Sequence, residues 1–219
     1  MITYEDIRQN EAIRTYITLA DEYLAAIGYT DHSFSHVELV STRTAAILEA
    51  VGRPEREVEL GRIAGYMHDI GNIVNRSGHA QSGALLAFRL LDEMGMPPEE
   101  IAAVVTAIGN HDENEGAPAT PLAAALILAD KSDVRAGRVR HIAPAEYDIH
   151  DRVNLSVKAT TLVVDSENKM FLLSLRINTE LSPVIDYFDI FLDRMILCRR
   201  AAASLGLTFT LQINGQRMM

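Results

Sequence analysis

The chain has 219 residues, of which 48% are hydrophobic and 23% are charged, which is typical of a globular protein with a sizeable core. Its formal net charge of -10 and its pI near 5.1 argue against nonspecific binding to nucleic acid or to an anionic membrane, because both need a basic surface. The single cysteine, Cys198, cannot form an internal disulfide and the charged N-terminus does not resemble a signal peptide, so we expect a cytoplasmic protein.

The first two thirds of the chain show helical periodicity with Gly and Pro at the breaks. Thr3 and Asp6 are spaced as an N-terminal cap, and Thr120-Pro121 is a good start for a later helix. The longest apolar run, Leu122 to Ala129, is far shorter than the ~18 residues of a membrane span. The pattern predicts an irregular helical bundle with helices over residues 4–27, 35–50, 54–70, 78–93, 98–110 and 120–130.

The pattern changes near residue 150. Segments 157–165 and 170–177 are rich in Val, Thr and Leu and flank a polar hairpin turn. A helix follows from Ser182-Pro183 to Gly206, and 207–213 is a last strand. The sequence therefore predicts a mainly α protein with a helical domain over residues 1–150 and a small C-terminal α+β (ββαβ) unit over 151–219. Packing, dimerisation and covering a site are all open as roles of this unit, so a homodimer is one alternative.

Four histidines and two carboxylates stand at or near the ends of predicted helices, in the order His36, His68, Asp69, His79, His111 and Asp130. Imidazole nitrogens and carboxylate oxygens together suit borderline divalent metal ions. Six groups are more than one tetrahedral zinc ion needs. They indicate either one octahedral ion with spare histidines or two ions that share a bridging carboxylate, and the second fits better because Asp69 lies between two candidate ligand sets.

Two segments carry a resemblance to a known family. Gly65-Tyr66-Met67-His68-Asp69-Ile70-Gly71 and Leu128-Ala129-Asp130-Lys131-Ser132-Asp133 resemble the motifs of the HD-domain metal-dependent phosphohydrolase superfamily, over roughly residues 30–140. With His79 and His111 in this order, the chain is most similar to two-metal bacterial HD-domain hydrolases of dinucleoside polyphosphates. One departure is Asn72, since many relatives have lysine after the glycine of this motif.

The resemblance implies a helical HD fold and a ligand set. One divalent ion would be held by His36, His68, Asp69 and Asp130, and Asp69 would bridge to a second ion on His79 and His111. One or two ions are expected, with Fe or Mn favoured and Ni, Co, Zn or Mg as alternatives.

Further residues are candidates for catalysis and substrate binding. Asp69 and Asp133 are the expected catalytic carboxylates, and Asp133 would orient a ligand or a water. An acidic protein that binds phosphate needs local cations, and Lys131, Arg135 and Arg138 follow the last ligand closely. The remaining histidines have no matching motif position, and we interpret them as surface or structural residues, namely His32, His141 and His150.

These features predict an enzyme that uses metal-activated water to hydrolyse a phosphate ester or anhydride in a small phosphorylated substrate. By resemblance, that substrate is a nucleotide or a similar metabolite, and neither nucleic acid nor membrane is an expected partner. Two alternatives stay open. One is an HD-type di-iron oxygenase, and the other is a nucleotide-sensing module that binds metal and ligand without turnover.

Overall fold

The computed structural model describes residues 1–114, 116–140 and 148–219. Helices dominate the first of these ranges and most of the second. They are α1 (Tyr4–Gln9), α2 (Glu11–Ala26), α3 (Phe34–Ala50), α4 (Glu55–Met67), α5 (His79–Glu93), α6 (Pro98–Gly109) and α7 (Pro121–Lys131), with short 3₁₀ turns at Ile70–Ile73 and Ala136–Arg138.

The predicted helix over residues 4–27 is wrong in one respect, because the chain forms two helices there. Asn10 ends α1 in an extended conformation, and its side chain accepts a hydrogen bond from the Ile13 backbone N–H to cap α2. An Asn side chain competes well for free backbone N–H groups. The break turns α1 onto α4, where the Tyr4 backbone N–H donates to Glu59.

Helix α7 runs through the middle of the bundle, and every residue from Leu122 to Ala129 is buried. It packs against α3, α4 and α6. Helices α3 and α4 approach each other closely through Gly65, where an added Cβ would lie 2.6 Å from Ser41 Cα. The segment that reads as an apolar run in the sequence is therefore the central core helix.

Helix α4 ends at Met67, three residues before the predicted end at residue 70, and the Ile70–Ile73 turn follows. Gly71 does not end the helix through a left-handed conformation. Instead, an added Cβ there would lie 2.0 Å from the His79 carbonyl oxygen and 2.4 Å from Gly83 N. Glycine at position 71 is thus required because the start of α5 packs directly on this backbone.

The C-terminal unit contains α8 (Ile149–Ser156), β1 (Val157–Asp165), β2 (Met170–Ile177), α9 (Val184–Ser204), β3 (Thr208–Ile213) and β4 (Gln216–Arg217). The four strands form one sheet in the order β1-β2-β3-β4, in which β2 and β3 are parallel and the other neighbours antiparallel. The expected small α+β unit is confirmed. The unit also has a leading helix, α8, and a final short strand, β4, that the sequence pattern did not predict.

The two parts of the chain share one hydrophobic core. Met195 and Cys198 of α9 are buried in the same cluster as Leu126 of α7, and α9 packs against α7. The predicted boundary between residues 150 and 151 falls inside α8. None of the helices in the described ranges combines a bilayer-spanning length with a sufficiently apolar sequence.

Candidate metal centre

The six predicted ligands converge in the interior of the bundle. They come from the ends of different elements: His36 lies in the first turn of α3, His68 and Asp69 directly follow α4, and His79 is the first residue of α5. His111 follows α6, and Asp130 is in the last turn of α7. All four imidazoles are buried, with at most 3% of their surface exposed.

Asp69 lies between two groups of ligands. Its Oδ2 atom is 3.5 Å from His36 Nε2 and 3.1 Å from His68 Nε2. Its Oδ1 atom is 3.4 Å from His79 Nε2 and 3.8 Å from His111 Nε2. One carboxylate therefore presents a different oxygen to each group, which is what a bridging ligand requires.

Asp130 belongs to the first group. Its Oδ1 atom is 3.4 Å from His36 Nε2 and 3.7 Å from His68 Nε2. Ligand atoms of His36, His68 and Asp130 all lie within 4.8 Å of one another, as do those of His68, Asp69 and His111. The ligand atoms within each set are therefore close enough to bind one ion.

Each imidazole is held through its Nδ1 atom, so that Nε2 is directed at the centre. His68, His79 and His111 donate from Nδ1 to the carbonyl oxygen three residues earlier, at 2.8, 3.1 and 2.6 Å. His36 instead contacts Asp133 Oδ2 at 2.8 Å. Because a carbonyl can only accept, the carbonyl contacts place the proton of His68, His79 and His111 on Nδ1 and leave Nε2 free as a metal ligand.

The resulting arrangement needs a cation. The buried Nε2 atoms of His36 and His68 have no hydrogen-bond partner among the described residues. The Nε2 atoms of His79 and His111 lie 3.1 Å apart, although both rings already carry their proton on Nδ1. Two facing lone pairs at this distance repel each other. Arg76 Nη1 lies 3.5 Å from His79 Nε2, and a metal ion bound by both rings would offset the remaining repulsion. The residues present therefore fit a divalent metal ion on both sides of Asp69.

The electrostatics agree with this interpretation. Burial opposes ionisation of both carboxyls, yet His68 and His36 hold the pKa of Asp69 well below its usual range. Lys131, His36 and His68 lower the pKa of Asp130 in the same way. Burial lowers the pKa of His111 and of His79, so both are neutral ligands. Burial and Arg138 also act to lower the pKa of His36, but its contacts with Asp130, Asp133 and Asp69 outweigh them and raise it to about 9.

Residues 33–135 match the family model of the HD domain, and the ordered ligands of the centre all lie within this match. This segment of the chain is similar to an HD domain. HD domains bind divalent metals, and these His and Asp clusters can hold them.

Two other proteins are similar to parts of this chain. The uncharacterized protein MJ1020 of Methanocaldococcus jannaschii is 27% identical over 171 residues, which are 67% of this chain and 65% of that protein. The chain thus spans just under two thirds of the length of this curated relative. A crystal structure of a predicted HD superfamily hydrolase from an uncultured Thermotogales bacterium shares 24% identity and a TM-score of 0.45, over 57% of this chain and 68% of that one.

Beside the HD-domain centre, Asp133 is fully enclosed and links His36 to two arginines. Its Oδ2 atom binds His36 Nδ1, and its Oδ1 atom accepts from Arg135 Nε at 2.7 Å. Arg138 Nη1 lies 3.5 Å from Asp133 Oδ2 and 3.0 Å from His36 Nδ1. Asp133 is therefore placed to orient a metal ligand and not to bind an ion itself.

Lys131 is buried and already paired. Its Nζ atom lies 2.9 Å from Asp130 Oδ2 and 2.6 Å from Glu113 Oε2. Glu113 also accepts from Arg194 Nε of α9 at 2.8 Å. Asp130, Lys131, Glu113 and Arg194 thus form a chain of alternating charges that joins a candidate ligand to the C-terminal unit.

A cavity of about 280 Å³ opens next to the centre and is bordered by Asp133. Its described lining includes Arg138 but neither Lys131 nor Arg135. A substrate contact of Lys131 and Arg135 therefore stays a prediction, and the structure shows their cations bound to carboxylates. We call this space the arginine cavity, because three arginines border it, Arg76, Arg138 and Arg194.

Sequence reasoning missed several residues near the centre. Arg76 and Arg194 were not candidates, since neither lies in a motif, and His32 and His150 also line the arginine cavity. His141 lies outside the described residues. Asn72 donates to Asp69 Oδ1 at 3.0 Å and accepts from Arg76 at 3.3 Å. The motif departure at this position was a usable signal, because an amide can position a carboxylate.

Proposed function

We propose that this protein is a metal-dependent phosphohydrolase that cleaves a phosphate ester or anhydride in a nucleotide or another small phosphorylated metabolite. The observation that carries the proposal is the position of Asp69, whose two oxygens face two separate groups of imidazoles. The neighbouring arginine cavity supports it, since guanidinium groups are well suited to bind phosphate.

The ligands divide into two sites in this proposal. His36, His68, Asp69 and Asp130 would hold one divalent ion, and His79, His111 and the second oxygen of Asp69 would hold another. Divalent ions bound there supply an acidified water as the nucleophile and neutralise charge on the phosphoryl oxygens. Fe or Mn would suit the mixed nitrogen and oxygen ligand set.

In this proposal the protein's own groups orient the metal ligands and neutralise the charge of the phosphate. Asp133 fixes the His36 ring, and the carbonyl oxygens of Gly65 and Ile108 fix His68 and His111. Asn72 holds the Asp69 carboxylate from the side. Arg138 borders both Asp133 and the arginine cavity, and in this proposal it would bind phosphate oxygens. Catalysis would then need no Ser or Cys nucleophile.

Metal analysis of the purified full-length protein, followed by a phosphatase screen with Mn, Fe, Co, Ni and Mg, tests the proposal. We expect one to two bound ions per chain and metal-dependent release of inorganic phosphate from at least one nucleotide or small phosphoester. Oxygen consumption by an iron-loaded protein would instead identify an oxygenase. Tight nucleotide binding without turnover under all metals would identify a binding module.

A further inference from the structure

The arginine cavity brings together three guanidinium groups from distant parts of the chain. Arg76 precedes α5, Arg138 lies in the Ala136–Arg138 turn, and Arg194 belongs to α9. The C-terminal unit therefore contributes to the space beside the metal centre, although it lies outside the HD-domain match over residues 33–135.

Arg76 is the cation beside the second ligand group. Its Nη1 atom lies 3.5 Å from His79 Nε2 and donates to Asn72 Oδ1 at 3.3 Å, and its guanidinium stands 5.5 Å from the centre of the Tyr29 ring. Within residues 1–114, 116–140 and 148–219, no carboxylate is paired with Arg76. Its charge is thus positioned by neutral partners and is not neutralised.

Arg194 is held in a similar way. Its guanidinium stands 4.6 Å from the centre of the Phe191 ring, and its Nε atom donates to Glu113. Its two terminal nitrogens form no hydrogen bond with the described residues, and the side chain is 25% exposed. Aromatic contact and a single ion pair fix the plane of the group, so two donors remain for a ligand.

Arg138 holds an unsatisfied donor beside the cavity. The residue is only 6% exposed, and its Nε atom is buried without a hydrogen-bond partner among the described residues. Carboxylates also border the cavity, but each of them already binds other groups of the protein. Asp133 binds His36 and Arg135, and Asp148 and Asp151 form the capping box of α8.

We propose that the arginine cavity is the substrate-recognition site, in which Arg76 and Arg194 bind the oxygens of a phosphate group together with Arg138. This inference rests on the proposed function and adds two residues that lie outside the family motifs. It also gives the C-terminal unit a role, because α9 would complete the recognition site with Arg194.

The cavity also indicates the size of the substrate. A volume of about 280 Å³ is just below the roughly 300–1,000 Å³ that small-molecule pockets occupy. Tyr29 and Phe191 border the cavity. Phe191 is only 2% exposed and packs against Arg194, and Tyr29, which is 43% exposed, has the Arg76 guanidinium over its ring. We infer that the substrate is a compact phosphomonoester of mononucleotide size or smaller, and not a dinucleoside polyphosphate.

The test uses the full-length protein loaded with Mn²⁺ and inorganic phosphate as the probe in isothermal titration calorimetry. We expect Arg76→Met and Arg194→Met each to raise the Kd for phosphate about ten- to a hundredfold, as the loss of a charge-assisted hydrogen bond predicts. Arg89→Met in α5 and Arg200→Met in α9 are matched controls on exposed surfaces and should leave it unchanged. Metal content should stay at the wild-type value throughout.

Arg194→Met keeps Glu113 paired with Lys131, so no buried carboxylate is left alone. Arg194→Lys is the second variant and should bind phosphate with intermediate affinity, since it keeps the charge and loses the planar fork. A Kd within twofold of wild type in both methionine variants overturns the inference, as does a wild-type protein that binds no phosphate. Arginine-dependent phosphate binding without any phosphatase activity would overturn the proposed function and leave this inference standing.

Substrate size is tested separately with adenosine 5′-monophosphate and diadenosine tetraphosphate. We expect a kcat/KM at least tenfold higher for the monophosphate, and a larger increase in KM than decrease in kcat on Arg194→Met. A higher kcat/KM for the tetraphosphate would contradict the size assignment.

Discussion

The two sides of Asp69 differ in how their histidine nitrogens are satisfied. On the first side, the Nε2 atoms of His36 and His68 are buried without hydrogen-bond partners and face the Asp69 and Asp130 carboxylates. On the second side, the Nε2 atoms of His79 and His111 face each other at 3.1 Å. The first arrangement is rich in carboxylate and the second in imidazole.

This difference predicts unequal metal affinity. The first side combines two carboxylates with a positioning carboxylate, Asp133, whereas the second has only one oxygen of Asp69. Anionic ligands bind a divalent ion more strongly than neutral ones in a site of low dielectric. We therefore expect the first side to fill first and to lose its ion last. The following predictions test this comparison, from the largest expected effect to the smallest.

Asp69→Ala removes the one ligand that both sides share. We expect both ions to be lost and hydrolytic activity to fall by about 10³-fold or more, because a metal contributes several kcal/mol of charge stabilisation. Metal analysis and steady-state kinetics measure the two effects. The far-UV circular dichroism should remain that of the wild type, since we expect the apolar core and not the metal to supply most of the stability. A protein that retains its metal and full activity would refute the shared site.

Substitution of single ligands should distinguish the metal bound on the two sides of Asp69. His111→Ala and His79→Ala should each reduce bound metal by about half by weakening the second side, and His36→Ala should affect the first. Because the first side has the higher expected affinity, His36→Ala should also reduce activity more. Metal stoichiometry after dialysis is the measurement. An unchanged stoichiometry in His79→Ala would show that His79 is not a ligand.

Asp133→Asn tests the positioning carboxylate on the first side. The variant removes the charge that faces His36 Nδ1, so we expect metal affinity of that side alone to fall about 10- to 100-fold, as for other residues that orient ligands. Competition with a fluorescent chelator gives the two affinities separately. Asp92→Asn, on the exposed face of α5, is the control. An equal loss of metal affinity on both sides would mean that the substitution disturbs the whole centre and does not act through His36.

The cations near Asp130 should have the smallest effects. Arg138 borders the arginine cavity, so Arg138→Ala should lower kcat/KM by about tenfold or more. Arg135 is bound to Asp133 and Ser35, and we expect Arg135→Ala to lower kcat/KM by less than Arg138→Ala does. Lys131→Ala leaves Glu113 paired with Arg194. We expect any effect of this variant on kcat/KM to come from the lost ion pair with Asp130. If Arg135→Ala has the larger effect across mono- and tetraphosphate substrates, its guanidinium must reach the substrate.

Local patterns were enough for most of the fold. The predicted helices over residues 35–50 and 78–93 differ from α3 and α5 by one residue at one end, and the predicted helix over 120–130 differs from α7 by one residue at each end. Caps and Pro or Gly signals lie at these ends. Helix α8 was missed because eight residues with two polar capping carboxylates show little periodicity. The break at Asn10 was missed because apolar residues continue in helical register through it.

The six candidate ligands were found from the sequence because each lies beside a helix end, where local signals are strongest. The order of these residues also matches the family pattern, and residues 33–135 match the HD-domain model. The expected roles of Lys131 and Arg135 came from proximity in sequence alone. In the structure, Lys131 pairs with Glu113 and Arg135 pairs with Asp133.

The sequence by itself determined the helical fold class and the set of residues able to bind metal, because both depend on short-range spacing and on side-chain chemistry. Only the tertiary structure decided which oxygen of Asp69 faces which histidines, and which arginines stand beside them. Arg76 and Arg194 are separated by more than a hundred residues and meet at one cavity through the packing of α9 on α7. Such contacts arise from burying a shared core, and no local pattern encodes them.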